Sequence, residues 1–399
     1  TFPVVLIISS LARGLGVGTS AVLSRAIGQG DRGLVRRLTT DGLLLSLLIV
    51  LAFAIAGIFT IDPLFRLLGA DSDILPLIHR YMRIWYLGMP FVVIPMVGNN
   101  AIRATGDTKT PSLIMVLAIL VNLSLDPLLI FGIGPFPRLE LEGAAIATVI
   151  ARATTLVVSL LVLSKREKMI TLTRVKLQEV IASWKKILFI GLPAAGTMII
   201  IPIATGIITR MISDYGVESV AGFGVASRIE TFSITVISAL ATVIIPFIGQ
   251  NLGAGRIDRI RLGLRFGQLF SMAWGGLLFI VFLFLARPLS RIFNDDIQVI
   301  EAASSYMLIV SVSYGAFGMF QLITASFNAL NKPFHAAFLS ILRVIVLYVP
   351  LAFLGRRLFG LRGMFGAATI ANFLSALVAY LLLAAVLKKI KDPVLKRAL

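Results

Sequence analysis

Two polar side chains four residues apart, Asn122 and Asp126, interrupt an apolar run from about Ser112 to Phe131. A bilayer core needs about 20 apolar residues of helix, so the run reads as a membrane span. An aspartate near the centre of such a span costs about 2.5–3.5 kcal/mol on insertion scales, which makes an intramembrane carboxylate a site of function by default. The four-residue spacing sets Asn122 on the same helix face as Asp126. Pro127 has no N–H to donate and crowds the Leu123 carbonyl, loosening a backbone acceptor beside the carboxylate. Hard oxygen ligands of this kind suit a proton or a small cation such as Na+. The competing use of the same residues is as polar glue between two helices at a proline kink.

Two more polar groups come to comparable depth. Counted from the span ends at 1.5 Å per residue, Asp126, Thr148 and Tyr81 lie about 6 to 10 Å below the outer ends of their helices. A carboxylate, a hydroxyl and a phenol on three neighbouring helices would form a cation site. Thr148 could instead bond its own backbone, and Tyr81 could belong to the interfacial aromatic belt. In the second half of the chain the comparable acid is Glu230, within Arg228-Ile229-Glu230. Residues two apart do not face each other on a helix, so these two should meet different neighbours. Glu230 is the secondary candidate for ion coupling, with a structural ion pair as its alternative. Asp41, Asp62 and Asp214 fall at span ends and read as solvated.

The elements that hold these groups are helices in a membrane. The chain has 399 residues, is 58% hydrophobic and only 14% charged, where soluble domains average about 25% charged. Apolar runs place eleven spans, at about 1–24, 38–60, 77–102, 112–133, 143–164, 186–212, 221–247, 263–286, 299–328, 335–354 and 364–387. The net charge of +18 would suggest nucleic acid on a soluble protein, but well over half of the Lys and Arg lie in loops on one side of this layout. The positive-inside rule makes that side cytoplasmic, and the basic excess needs no nucleic-acid partner. There is no Cys, which excludes disulfides and thiolate metal sites, and His79 and His335 stand far apart without ligand spacing. A membrane-embedded enzyme is disfavoured on the same grounds.

An internal repeat organises the spans. At an offset of about 223 to 225 residues Gly28 matches Gly253, Arg36 matches Arg261, Tyr81-Met82 matches Tyr306-Met307 and Pro127 matches Pro350. Gly132 and Gly143-Ala144-Ala145 match Gly355 and Gly366-Ala367-Ala368. Parallel halves of this kind are a transporter architecture, with a substrate cavity between them. The expected layout is an N-lobe at 1–164, a cytoplasmic linker at 165–185 with a short amphipathic helix from Leu177 to Trp184, a C-lobe at 186–387 and a basic tail at 388–399. The span 186–212 opens the second copy, and its counterpart would lie before Thr1. The repeat therefore predicts one further helix upstream and two pseudo-symmetric six-helix bundles in all. At the positions matching Asn122 and Asp126 the second copy has Ile345 and Val349, so the proline break is shared and the polar pair is not.

Three segments carry a family resemblance: Gly249-Gln250-Asn251-Leu252-Gly253-Ala254-Gly255-Arg256, its counterpart around Ser24 to Asp31, and Arg103-Ala104-Thr105-Gly106-Asp107-Thr108-Lys109-Thr110-Pro111. They resemble the cytoplasmic-loop signatures of the multidrug and toxic compound extrusion (MATE) family, and the similarity spans the whole chain. Asn122, Asp126 and Pro127 resemble the DinF-like branch, in which a carboxylate on the fifth helix works with one on the first. The resemblance implies a V-shaped, multi-pass, monomeric protein of the cytoplasmic membrane, embedded in lipid. It would export organic, often cationic, drugs against inward H+ or Na+, with no cofactor beyond the transported ion. By the same resemblance Tyr81, Asn122, Asp126 and Thr148 form the cation site, with any Na+ held at Asp126 and Asn122. Asn99 and Met115, together with Asp126, would then lie near the drug cavity. Acids that another branch carries near the middles of its seventh and tenth helices are absent from spans 186–212 and 299–328. A lipid-linked sugar flippase of the same superfamily is the alternative, since Arg13, Arg152, Arg228 and Arg343 lie inside spans and a pyrophosphate would need such cations.

Overall fold

The computed structural model describes residues 2–67, 69, 71, 73–135, 137–171 and 176–390, and every regular element among them is helical. In the first half these are α1 (Phe2–Gln29), α2 (Arg32–Phe59), α3 (Ile61–Leu67), α4 (Leu75–Ala104), α5 (Lys109–Phe131) and α6 (Glu140–Leu161). After them come α7 (Leu177–Ile212), α8 (Val217–Gly253), α9 (Ile257–Arg291), α10 (Ile297–Ser311), α11 (Tyr314–Ala329), α12 (Pro333–Ile341) and α13 (Val349–Ile390). Helix ends follow local chemistry. Asp31 caps α2 by accepting from the Leu34 N–H at 2.9 Å, Asp296 caps α10 through the Gln298 N–H, and Gly132 closes α5 in the left-handed region.

Nine helices among the described residues are long and apolar enough to cross a membrane, and α10 with α11, bent by 61°, make a tenth. The last of the nine runs from Pro333 to Ile390, 58 residues, far longer than a bilayer is thick. It is in fact two spans. Gly360 has φ 60° and ψ −140°, a conformation open only to glycine, and a Cβ on Gly355 or Gly363 would collide with the other's backbone carbonyl. Eight residues of straight helix would separate those two glycines by about 12 Å, so the chain doubles back here. Each of the eleven expected spans thereby finds its helix. Both proline-bearing helices turn back soon after the proline, the first at Gly132 and the second at Gly360, five residues past the Gly355 that the repeat matches to Gly132.

The chain divides into two compact units, Thr1–Ala195 and Gly196–Leu399. In unit 1, α4 packs on α1, α2 and α6, and α5 packs on α6. Gly14 and Gly18, one turn apart on α1, let its backbone lie directly on α7 at Ile187 and Gly191, the close approach that small residues permit between membrane helices. The amphipathic helix expected in the linker is not a separate element. Leu177 to Trp184 form the first two turns of α7, because no Gly or Pro interrupts the chain before the span begins and Ser183 donates to the Glu179 carbonyl within the helix instead of capping a new one. Trp184 donates its indole N–H to the Asp41 carbonyl at 2.9 Å, and Arg37 pairs with Glu179 at 2.6 Å, so this stretch is pinned to α2. Asp41, expected to be solvated, is 5% exposed and lies 3.6 Å from Arg37. Asp62 and Asp214 pair with His79 and Arg356 rather than with water alone. Part of the linker, residues 172–175, and the tail at 391–399 lie outside the described residues.

The loop between α4 and α5 is tied to the end of α6. Asp107 accepts from the Thr110 N–H at 3.0 Å and from the Thr110 hydroxyl at 2.5 Å, and pairs with Arg166, which also donates to the Thr110 hydroxyl at 2.7 Å. The Thr110 hydrogen bonds, with Arg166 adding to them, hold the Asp107 carboxyl down to about 2.

Unit 2 packs around a core of its own. Met211, Phe223, Phe282, Met307, Tyr314 and Phe365 form its centre, contributed by α7 to α11 and α13. Between α12 and α13 residues Leu342–Tyr348 form a π-helical stretch, which ends two residues before Pro350.

Candidate functional sites in the two units

In unit 1, Asn122 and Asp126 meet as their spacing requires. The Asn122 amide donates to Asp126 Oδ1 at 3.1 Å, and both side chains are partly buried in an otherwise apolar helix. No Lys, Arg or His pairs with Asp126 among the described residues. Pro127 sits inside α5, which remains α-helical through Phe131. Among the described residues, the Asn122 amide is the side-chain partner of the Asp126 carboxyl.

The other expected ligands are not joined to this pair. The Thr148 hydroxyl, exposed on α6, donates to the Ala144 carbonyl at 2.9 Å, the local bond that helical threonines commonly make. That donation leaves the oxygen lone pairs of Thr148 able to accept. Tyr81 packs against the apolar cluster of Ile8, Ala54, Met82 and Tyr86. Asn99 is 6% exposed, and its Oδ1 has no hydrogen-bond partner among the described residues. Met115 is 48% exposed, with its sulfur 3.9 Å from Arg103 Nη2.

Unit 2 holds a cavity of about 370 Å³ that the sequence did not reveal. Glu230 lines it from α8 and accepts from the Tyr306 hydroxyl of α10 at 2.8 Å. Arg228, as its spacing predicted, faces elsewhere and is exposed. Arg343 enters from the π-helical stretch, with its guanidinium 4.8 Å from the Phe317 ring centre and 5.3 Å from that of Phe320. Its Nη1 donates to Asn372 Oδ1 at 3.3 Å, while its buried Nε has no partner. Asn372 in turn donates to the Ser313 hydroxyl at 3.0 Å. Arg343 and Glu230 line the same cavity without forming a direct ion pair. Of the four intramembrane arginines, Arg343 lines this cavity, and Arg13, Arg152 and Arg228 are exposed. The sequence signal was Arg343 itself, a cation in an apolar run, but its partners come from four other helices and no spacing joins them. Among the described residues no cluster of three or more His, Cys, Asp or Glu could hold a metal ion.

Comparison with known proteins agrees with this geometry. The MatE family model matches residues 1–128 and 193–354, both halves of the repeat. The FAD transporter of Shewanella oneidensis is 40% identical over 98% of this chain and 86% of its own length. The probable multidrug resistance protein YoeA of Bacillus subtilis is 27% identical over 88% of this chain and 77% of its own. Among solved structures, the Vibrio cholerae MATE transporter VcmN in its bent form superposes with a TM-score of 0.92 at 27% identity, covering 98% of this chain and 88% of that one. With the family model matching both halves of the repeat, a relative 40% identical over nearly the whole chain and a solved member that superposes on it, this chain belongs to the MATE family of multi-pass membrane transporters that export small compounds.

Proposed function

We propose that the protein is a cation-coupled exporter in which Asp126 is the group that reads the ion gradient. The observation that carries the proposal is a partly buried carboxylate, hydrogen-bonded to Asn122 inside a membrane span and without a counter-ion. A carboxylate inside a span with no cation paired to it among the described residues is the type of group through which H+ or Na+ is coupled. Neutralisation removes the charge beside Pro127, where the helix has a missing hydrogen bond and bends most easily. A change of bend there alters the surface offered to substrate, which leaves outward as the ion enters inward. For Na+, the Asn122 and Thr148 oxygens are the candidate hard acceptors, and Asn99 and Met115 remain candidates for substrate contact. The available drive is about 2.3 kcal/mol per charge at 100 mV, enough for many-fold accumulation.

The substrate has two readings. Organic drugs are one, since the Bacillus relative is named for multidrug resistance. A flavin nucleotide is the other, favoured by the 40% identity to a protein named an FAD transporter. Efflux of ethidium and of FAD from proteoliposomes, with the pH and sodium gradients imposed one at a time, separates all four combinations. Export of both compounds at an undiminished rate with neither gradient present would remove the coupling proposal.

A further inference from the structure

We propose that the cavity in unit 2 is a second ligand site, for an uncharged planar heterocycle whose edge carries both carbonyl acceptors and an N–H donor. The proposal rests on the reading of the chain as an exporter only for its biological purpose; the site itself rests on the geometry below.

The cavity volume, about 370 Å³, lies at the small end of the range of about 300–1,000 Å³ that suits drug-sized ligands. It therefore fits a fused-ring system and not a whole dinucleotide. Its walls are mostly apolar, with Ile201, Ile208, Phe223 and Phe317 among them. Desolvation of a flat ring supplies the affinity there, and few polar groups remain to fix its orientation.

Those polar groups come in opposite signs. Arg343 offers a buried Nε that lacks a partner, and its Nη1 bond to Asn372 is long at 3.3 Å. A buried donor left unsatisfied costs about 1–3 kcal/mol, so an acceptor entering from the cavity is strongly favoured. Glu230 spends one oxygen on the Tyr306 hydroxyl, and its second oxygen can accept from a ligand. Because the two charges share one cavity without pairing, an organic cation meets Arg343 and an organic anion meets Glu230. A neutral ligand with an acceptor and a donor on one edge satisfies both.

The backbone supports a built site. In an α-helix residues five apart diverge by about 140°, whereas an i→i+5 turn brings them to one face. Arg343 and Tyr348 are five apart within the π-helical stretch, and both line the cavity. Interruptions of this type recur at functional sites, and this one is what lets Arg343 and Tyr348 share a wall.

The test uses two tricyclic fluorescent probes of similar outline, neutral lumichrome with an imide edge and cationic proflavine. Binding is titrated on the purified full chain in nanodiscs, where no gradient is needed. Wild type should bind lumichrome more tightly than proflavine. Arg343→Gln should weaken lumichrome at least about tenfold, as loss of a bond to a charged donor does, and should strengthen proflavine by leaving Glu230 unopposed. Glu230→Gln keeps an acceptor for Tyr306 but turns an amide N–H toward the ligand's N–H, so it should weaken lumichrome about tenfold and abolish proflavine binding. A misfolded variant would lose both probes together, so opposite movement in Arg343→Gln is the signature. Absence of lumichrome binding to wild type, or movement of both probes in the same direction in Arg343→Gln, overturns the proposal. Failure of gradient-driven export leaves these titrations unaffected, and the converse also holds, so the two proposals stand or fall separately.

Discussion

The two proline-broken helices of the repeat put different chemistry on the same bend. In unit 1 the polar groups, Asn122 and Asp126, precede Pro127 by five residues and one, in a helix that stays α-helical. In unit 2 they are Arg343 and Tyr348, seven residues and two before Pro350, and a π-helical stretch turns them to one side. One half thus holds a lone carboxylate, whereas the other sets Arg343 in a cavity that Glu230 of α8 also lines. A lone buried charge responds to an ion, whereas a balanced pair responds to a dipolar ligand; the duplicated scaffold has room for both.

Substitutions sharpen that contrast, beginning with the largest effect. Asp126→Asn should abolish gradient-driven export while leaving the melting temperature near wild type, because the change removes a charge and not a packed group. A melting temperature many degrees lower would mean that the residue holds helices together instead. Asn122→Ala comes next. Loss of a hydrogen bond to a charged group is worth about 1.5–3 kcal/mol, so the cation concentration for half-maximal export should rise by about tenfold or more. Half-maximal concentrations equal to wild type would show that Asn122 is a bystander.

Smaller effects test the frame on which each bend is mounted. Gly360→Ala forces a side chain into a glycine-only conformation and should cost unit 2 about 2 kcal/mol, read as a lower denaturation midpoint. Asp107→Asn should cost about 1 kcal/mol, less than the full linkage value because Arg166 is more than half exposed. The Asp107 carboxyl is held at about 2, below its unfolded value, so its contribution is fully present above about pH 4 and fades as pH falls through about 2. The stability gap between Asp107→Asn and wild type should accordingly be flat from pH 5 to 8, and a gap that closes within that window would place the clamp's charge elsewhere.

How much of this was legible in the sequence depended on whether the signal was local. Span positions, the repeat and the Asn122–Asp126 contact are set by hydropathy, by ordered matches and by helical spacing, and the structure has them where those rules put them. The Thr148 bond to Ala144 was foreseeable as the local alternative to ligation, and it is the bond that forms. Non-local features were hidden. Asp41 lies at a span end in sequence, yet the first turns of α7 return over it, and no pattern in α2 records that cover. The Glu230–Tyr306–Arg343 cavity draws on α8, α10 and the stretch before α13, and the π-helical register that aligns Arg343 with Tyr348 leaves no periodic trace.

The most direct measurement is substrate efflux from proteoliposomes carrying either wild type or Asp126→Asn, with the coupling gradient stepped from inward to zero to outward. Wild-type efflux should rise, stop and reverse with the gradient, while any residual Asp126→Asn efflux should be the same at every step. An Asp126→Asn transporter that still follows the gradient as wild type does would contradict the assignment of Asp126 as the group through which the ion acts.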